Sequence, residues 1–188
     1  MGEKNKLGLI SLIPHGNEIA KFQNIQNSFL NLCIDKLMYP IEAYFCPLFV
    51  YDTSISIQEK KELLENTKKR FEKNQNPIEI QNLEIQDYWL YAKLKTGLPK
   101  NNNTKALEIA AIPALPDFFS LPLVFTKNKI SFKKTFEVFN EKQNEIYLRK
   151  LNVFQLALLE FSWKDEWDYA FCWETIASKW VKIKKDKQ

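Results

Sequence analysis

The sequence predicts an α+β fold, and three observations carry that reading. Segments with strand and helix character follow one another as β-α-β-α-β-β and then β-α-β-β, not in regular β-α alternation. Residues 42–56 recur, without a gap, as residues 117–131. The chain has 188 residues, of which 45% are hydrophobic and 14% aromatic. That is enough for one ring-rich core burying roughly 70% of the surface of the unfolded chain.

The elements follow in order. Residues 7–13 are a short, mostly apolar run ending at Pro14, which reads as a buried strand. Asn17 is placed to cap a helix running to about Asp35, with Ile19, Phe22, Ile25, Phe29, Leu30 and Cys33 at helical spacing. Pro40 breaks the chain, and residues 42–51, rich in aromatic and β-branched types, read as a strand. Ser56 and Glu59 form a capping box for a helix over residues 57–74, with Leu63, Leu64 and Phe71 on one face. Asn76-Pro77 ends it. Residues 78–85 and 88–94 alternate apolar and polar, as two strands or one long bulged ribbon. Residues 95–105, with Gly97, Pro99 and the run Asn101-Asn102-Asn103, are loop, and Thr104 is placed to cap a short helix over 105–112. Pro113, Pro116 and Pro122 frame a strand over 119–125. Ser131 is placed to cap a helix bearing Phe132, Phe136 and Phe139. Residues 151–161 and 168–175 read as strands joined by Lys164-Asp165-Glu166, and residues 178–188 as a lysine-rich tail.

The side-chain inventory excludes whole classes of chemistry. His15 is the only histidine, so a Ser-His-Asp triad would depend on it alone and no two-imidazole site can exist. The four glycines form neither G-x-G-x-x-G nor a Walker A loop. Cys33, Cys46 and Cys172 are odd in number and contain no C-x-x-C, which fits a reduced, cytoplasmic chain whose cysteines act as small core hydrophobes. No apolar run approaches the roughly 20 residues needed to span a bilayer, and the N-terminus lacks a signal-peptide pattern, so no membrane partner is expected. No metal and no cofactor are expected either. The net charge of +4 suits solubility as well as phosphate binding.

Several residues carry a functional and a plain reading side by side. His15, between a strand end and a helix N-terminus, suits contact with an anion, or is simply a surface or capping histidine. Glu160, Asp165, Glu166, Asp168 and Glu174 lie among Trp163, Trp167 and Trp173, as in sugar-binding or acid–base sites, or as a solvated hairpin turn. Trp180 with Lys179, Lys182 and Lys184 suits base stacking and phosphate contact, or a core edge with a soluble terminus. Lys68, Lys69, Arg70 and Lys73 form a second basic stretch with the same two readings.

The repeat adds a sharper expectation. Pro47, Leu48, Ile55 and Ser56 coincide with Pro122, Leu123, Ile130 and Ser131, and Glu42 and Tyr44 with the similar Asp117 and Phe119. A proline inside each strand removes a backbone donor and belongs at an edge or a bulge, which often sits beside a functional site. A strand ending in Ile13-Pro14, then a helix, an aromatic strand and a second helix, with the strand motif repeated later, resembles the 2H phosphoesterases, a group that includes the LigT-like RNA 2′,3′-cyclic phosphodiesterases. The resemblance implies two pseudo-symmetric lobes, approximately residues 1–86 and 87–188 of a single domain, with antiparallel sheets flanking a central groove and helices outside. It also implies one His-x-Thr/Ser motif per lobe, one histidine serving as acid, the other as base, and the hydroxyls holding phosphate. Those positions fall here on Phe45 and Pro47, and on Ser120 and Pro122. Phenylalanine and proline transfer no proton, so no residue is carried over as catalytic. The resulting expectation is a catalytically degenerate protein that binds a phosphorylated, nucleotide-like or RNA-like ligand without hydrolysing it. Two alternatives stand beside it: a protein–protein interaction module with an unspecified partner, and an enzyme of carboxylate-based chemistry on the same scaffold.

Overall fold

The computed structural model describes residues 5–33, 37–40, 44–74, 78–95, 119–142, 150–151, 153–163 and 172–182. They run β1 (Asn5–Pro14), α1 (Asn17–Leu30), β2 (Met38–Pro40), β3 (Cys46–Tyr51), α2 (Ile57–Asn74), β4 (Ile78–Gln86), β5 (Trp89–Lys95), β6 (Ser120–Thr126), α3 (Lys129–Lys142), β7 (Lys150–Leu151), β8 (Val153–Trp163) and β9 (Cys172–Lys182). The fold is α+β, with two antiparallel sheets of strand order β3-β1-β8-β9 and β2-β6-β5-β4-β7. Both sheets draw strands from both halves of the chain. The hairpin β8-β9 returns to the opening strand β1, and β4 crosses to the sheet of β5 and β6, so the strands are shared across the 86/87 boundary.

A single large core fills the helix side of both sheets. On the first sheet Ile10, Leu12, Leu156 and Leu158 alternate inward beneath α2, whose Phe71 meets Phe154 edge-on at 5.4 Å. On the second sheet Leu90, Ala92, Leu121 and Leu123 lie beneath α1. The rings of Phe132 and Phe139 on α3 each meet Phe29 of α1 at 5.4 Å. A smaller cluster, Leu7, Leu9, Ala157, Leu159 and Phe161, occupies the other face of the first sheet. The period-2 alternation of β1 therefore feeds two apolar layers at once, which is why residues 7–13 read as a nearly continuous apolar run.

Local chemistry differs from the sequence expectation at several helix and strand ends. Helix α1 starts at Asn17, but its cap is Gly16, with no side-chain cap bond; Gly16 adopts φ 55°, a conformation glycine enters at little cost. The helix ends at Leu30 rather than near Asp35. The capping box is present in full: Ser56 N and Oγ donate to Glu59 Oε2 at 2.8 and 2.7 Å, and Glu59 N donates to Ser56 Oγ at 3.2 Å. In the second copy the cap is Asn128, not Ser131; its Oδ1 accepts from the N–H groups of Ile130 and Ser131 at 3.2 Å. Asn is among the strongest N-cap residues, so the helix begins earlier than the repeated serine suggested. Strand β9 extends through Lys182, so Ser178 to Lys182 belong to the sheet and not to a tail. Strand β2 carries no sequence signal beyond Tyr39 and Pro40, and its place comes from pairing with β6. The short helix expected over 105–112, the loop before it and the turn around Asp165 lie outside the described residues. Among the described residues, no helix is long and apolar enough to cross a membrane.

Candidate functional site

The repeat is structural as well as sequential. Strand β1 pairs with β3 through Leu9↔Val50, Ile10↔Phe49, Ser11↔Pro47 and Leu12↔Cys46. Strand β5 pairs with β6 through Trp89↔Phe125, Leu90↔Val124, Tyr91↔Pro122 and Ala92↔Leu121. Each residue of the second ladder sits where its counterpart sits in the first, and both ladders skip one residue at the same place. Leu48 and Leu123 are the extra residues, each directly after the repeated proline. A bulge is a place where proline's missing donor is tolerated, so the Pro-Leu pair encodes it twice.

These bulged strands adjoin one another across the two sheets. Phe119 N donates to the Pro47 carbonyl at 2.8 Å, while Leu94 N donates to the Phe119 carbonyl at 2.8 Å. Phe119 holds φ 61°, a left-handed conformation that a bulky residue adopts only under constraint, and its ring stands edge-on to Phe49 at 6.4 Å. Gln26 of α1 ties the second bulge to the chain before the first. Its Nε2 donates to the Leu123 carbonyl at 2.7 Å and its Oε1 accepts from Tyr44 Oη at 2.8 Å.

Phe45, Pro47, Ser120 and Pro122 lie on, or directly before, the repeated strands β3 and β6. Phe45 is half-buried, with its ring 5.6 Å from that of Phe161, and Pro47, Ser120 and Pro122 are buried. The Ser120 hydroxyl is fully buried and has no hydrogen-bond partner. Only one other buried side-chain polar atom among the described residues shares that condition: the hydroxyl of Ser11, the register partner of Pro47. Ser11 alternates with Leu7 and Leu9 on the face turned away from the helices. Sequence reasoning did not single it out, although it is the one polar side chain in the run 7–13. Each unpaired buried hydroxyl costs about 1–3 kcal/mol, so two at one junction is an expensive arrangement.

The remaining candidates lie elsewhere. His15 is exposed, just past the Pro14 end of β1, and stands edge-on to Trp180 of β9, ring centroids 4.5 Å apart. Of the acidic group, Glu160 accepts from Lys60 Nζ at 2.7 Å and from Tyr51 Oη at 3.1 Å, which ties α2 to the sheet. Burial, and then the neighbouring Glu160 carboxylate, push the Tyr51 phenol up. Glu174 is exposed on β9, opposite Glu160, and Asp165, Glu166 and Asp168 lie outside the described residues. Cys46 is buried and burial pushes its thiol up, so it acts as a core side chain and not as a nucleophile.

The second sheet carries a feature that no sequence pattern announced. Tyr39, Phe125 and Trp89 stand directly opposite one another on three adjacent strands, with ring centroids 6.5 and 4.9 Å apart. Tyr88, in the β4–β5 turn, lies 6.3 Å from Phe125, and Tyr91 stacks on Trp89 at 6.3 Å. These rings are scattered along the sequence and only the strand register gathers them.

The chain matches no protein-family model and no curated protein sequence.

Proposed function

We propose that this chain is a catalytically degenerate, 2H-phosphoesterase-like binding protein of the reducing cytoplasm, which holds a phosphorylated or nucleotide-like ligand between its two bulged strands without hydrolysing it. The observation that carries the reading is the pair of buried, unpartnered hydroxyls, Ser11 and Ser120, set at the junction of the repeated strands. A hydroxyl supplies one donor and two acceptor sites, so each suits a phosphate oxygen or a ribose hydroxyl. Phe45, Pro47 and Pro122 bring no titratable group to that junction, which supports binding without proton transfer. Because both hydroxyls are fully buried, a ligand reaches them only through an opening movement, and its observed binding rate should level off at high ligand concentration.

Thermal denaturation with mononucleotides and 2′,3′-cyclic nucleotides tests the reading. The melting temperature should rise with ligand concentration, and the cyclic phosphodiester should be recovered intact. Ser11→Ala with Ser120→Ala should abolish the ligand-induced rise while leaving the free protein as stable or up to about 2 kcal/mol more stable. Hydrolysis of a 2′,3′-cyclic nucleotide by clean protein, lost in Ser120→Ala, would sink the non-catalytic assignment. Failure of every nucleotide to shift the melting curve would sink the ligand class.

A further inference from the structure

We infer that the end of the second sheet beside the β4–β5 turn, where Tyr39, Phe125, Trp89 and Tyr88 gather, is a stacking platform for single-stranded nucleic acid, independent of the buried junction at Ser120 further along the same face. The row Tyr39–Phe125–Trp89 crosses three neighbouring strands, and Met38, Val124 and Leu90, their chain neighbours, point the other way into the core. The rings are therefore held by the sheet at intervals set by strand spacing, with backbone order already established before any ligand arrives. Tyr39 and Tyr88 remain 41% exposed, and Phe125 and Trp89 are half-buried, so flat ring surface is presented to solvent at the end of a strand.

Cations accompany the rings. Lys129 Nζ lies 4.2 Å from the Tyr88 centroid and Lys127 Nζ 5.7 Å from that of Tyr39. Lys127 follows directly on the strand that carries Phe125, and residues 127–134 contain four lysines, all exposed, and no carboxylate. Asp87 pairs with Lys129 at 3.0 Å and is itself largely exposed, so that contact contributes little and yields readily to a phosphate.

Rings and lysines on one face select the occupant. Every nucleobase offers a π-face to an aromatic ring, and the phosphates between successive bases meet the lysines. A neutral glycan would stack on the rings and leave the lysines unused. An acidic peptide would meet the lysines and leave the flat rings unused. A duplex hides its base faces, so the strand must be single.

Fluorescence anisotropy with labelled eight-nucleotide oligo-U and oligo-dT, and with a duplex of the same length, tests the inference. Both single strands should bind, and the duplex should bind at least tenfold more weakly. Tyr39→Ala and Tyr88→Ala, both at exposed positions, should each weaken the oligonucleotide about tenfold. Lys127→Gln should lower the slope of log affinity against log salt by about 0.7. Ser11→Ala with Ser120→Ala should leave oligonucleotide affinity unchanged, as should Trp180→Ala, an exposed ring on the other sheet. Equal affinity for duplex and single strand, or unchanged affinity in both tyrosine variants, would overturn the platform. So would self-association by sedimentation that vanishes in Tyr39→Ala, because the rings would then serve a second copy of the chain. Loss of binding in the double serine variant alone would return the oligonucleotide to the junction site.

Discussion

The two copies of the strand–turn–helix unit share a backbone and differ in nearly everything that holds it in place. Strands β3 and β6 carry the same proline, the same bulged leucine and the same ladder register. Helix α2 is then fastened to its sheet by the Lys60–Glu160 ion pair at 2.7 Å and by Phe71 against Phe154. Helix α3 reaches the second sheet's β4–β5 turn only through the exposed Lys129–Asp87 pair at 3.0 Å, which contributes little, and is seated by rings, Phe132 and Phe139, on Phe29 of α1. The caps differ as well: a titratable Ser-Glu box in the first copy and a neutral asparagine in the second. The bulge thus recurs with the Pro-Leu pair, while much of the surrounding chemistry differs, down to Phe45 standing where the second copy has Ser120.

That contrast can be broken most forcefully from the aromatic side. Phe29→Ala removes the fully buried ring beneath α3 and should cost about 3–5 kcal/mol by chemical denaturation. Amide exchange should show α3 losing protection first, with α2 little changed. Equal loss in both helices would mean that the two are not seated independently.

The ionic side should respond next. Lys60→Met strands the Glu160 carboxylate, of which only 11% is exposed, and should cost about 3 kcal/mol. Lys60→Met combined with Glu160→Leu should recover most of that loss. Additivity of the two single effects in a double-mutant cycle would show that the pair is not coupled.

The caps are a smaller test and a sharper one. Ser56→Ala and Asn128→Ala should each cost about 1 kcal/mol, whereas Ser131→Ala should stay within about 0.5 kcal/mol. A large effect at Ser131 would restore the serine as the working cap of the second copy.

The smallest expected effect is one of pH. Bonds from the Ser56 hydroxyl and N–H hold the Glu59 carboxyl below its usual range, and bonds from Ser54 N and Oγ do the same for Asp52. A depressed folded-state pKa contributes stability that is present above the ordinary carboxylate range and lost as pH falls through the depressed value. Acid should therefore fray the start of α2 while leaving the Asn128 cap of α3 intact, visible as selective amide exchange at residues 57–60 once the pH falls below the ordinary carboxylate range. Simultaneous fraying of both helix starts would contradict the difference in caps.

Much of this fold was legible because the informative signals are local. The capping box at Ser56 and Glu59 places α2 to the residue, and alternation places β4 and β5 within a residue or two. The repeated prolines announce two bulges, and both are present. What stayed hidden depends on pairing between distant segments. Strand β2 is three residues long and owes its place to β6, so no window of local sequence betrays it. Ser131 suits a cap by residue type, but the turn after Thr126, whose Oγ1 accepts from Asn128 N at 2.9 Å, brings the asparagine to that position. At the candidate site, Ser120 was named for its position in a motif, but its partner in isolation, Ser11, lies 109 residues away in sequence on another sheet. The row Tyr39–Phe125–Trp89 is likewise a product of register. Periodicity reports which face a residue occupies, and only the ladder reports its neighbours.

The pairing of β1 with β8, from Asn5↔Trp163 to Pro14↔Phe154, has a temporal meaning. Residues 153–163 lie about 140 residues after β1 ends, so β1 is made long before this neighbour. During synthesis β3 is available to β1 early, but the other edge of β1 stays bare until β8 emerges. Contacts of such sequence separation make folding slow, because the loop must close before the ladder rewards it. The apolar alternation that lets β1 serve two layers in the finished protein also makes it the segment most exposed to mispairing while the chain is incomplete. Withholding β8 and β9 should therefore convert β1 from the centre of a sheet into an adhesive edge.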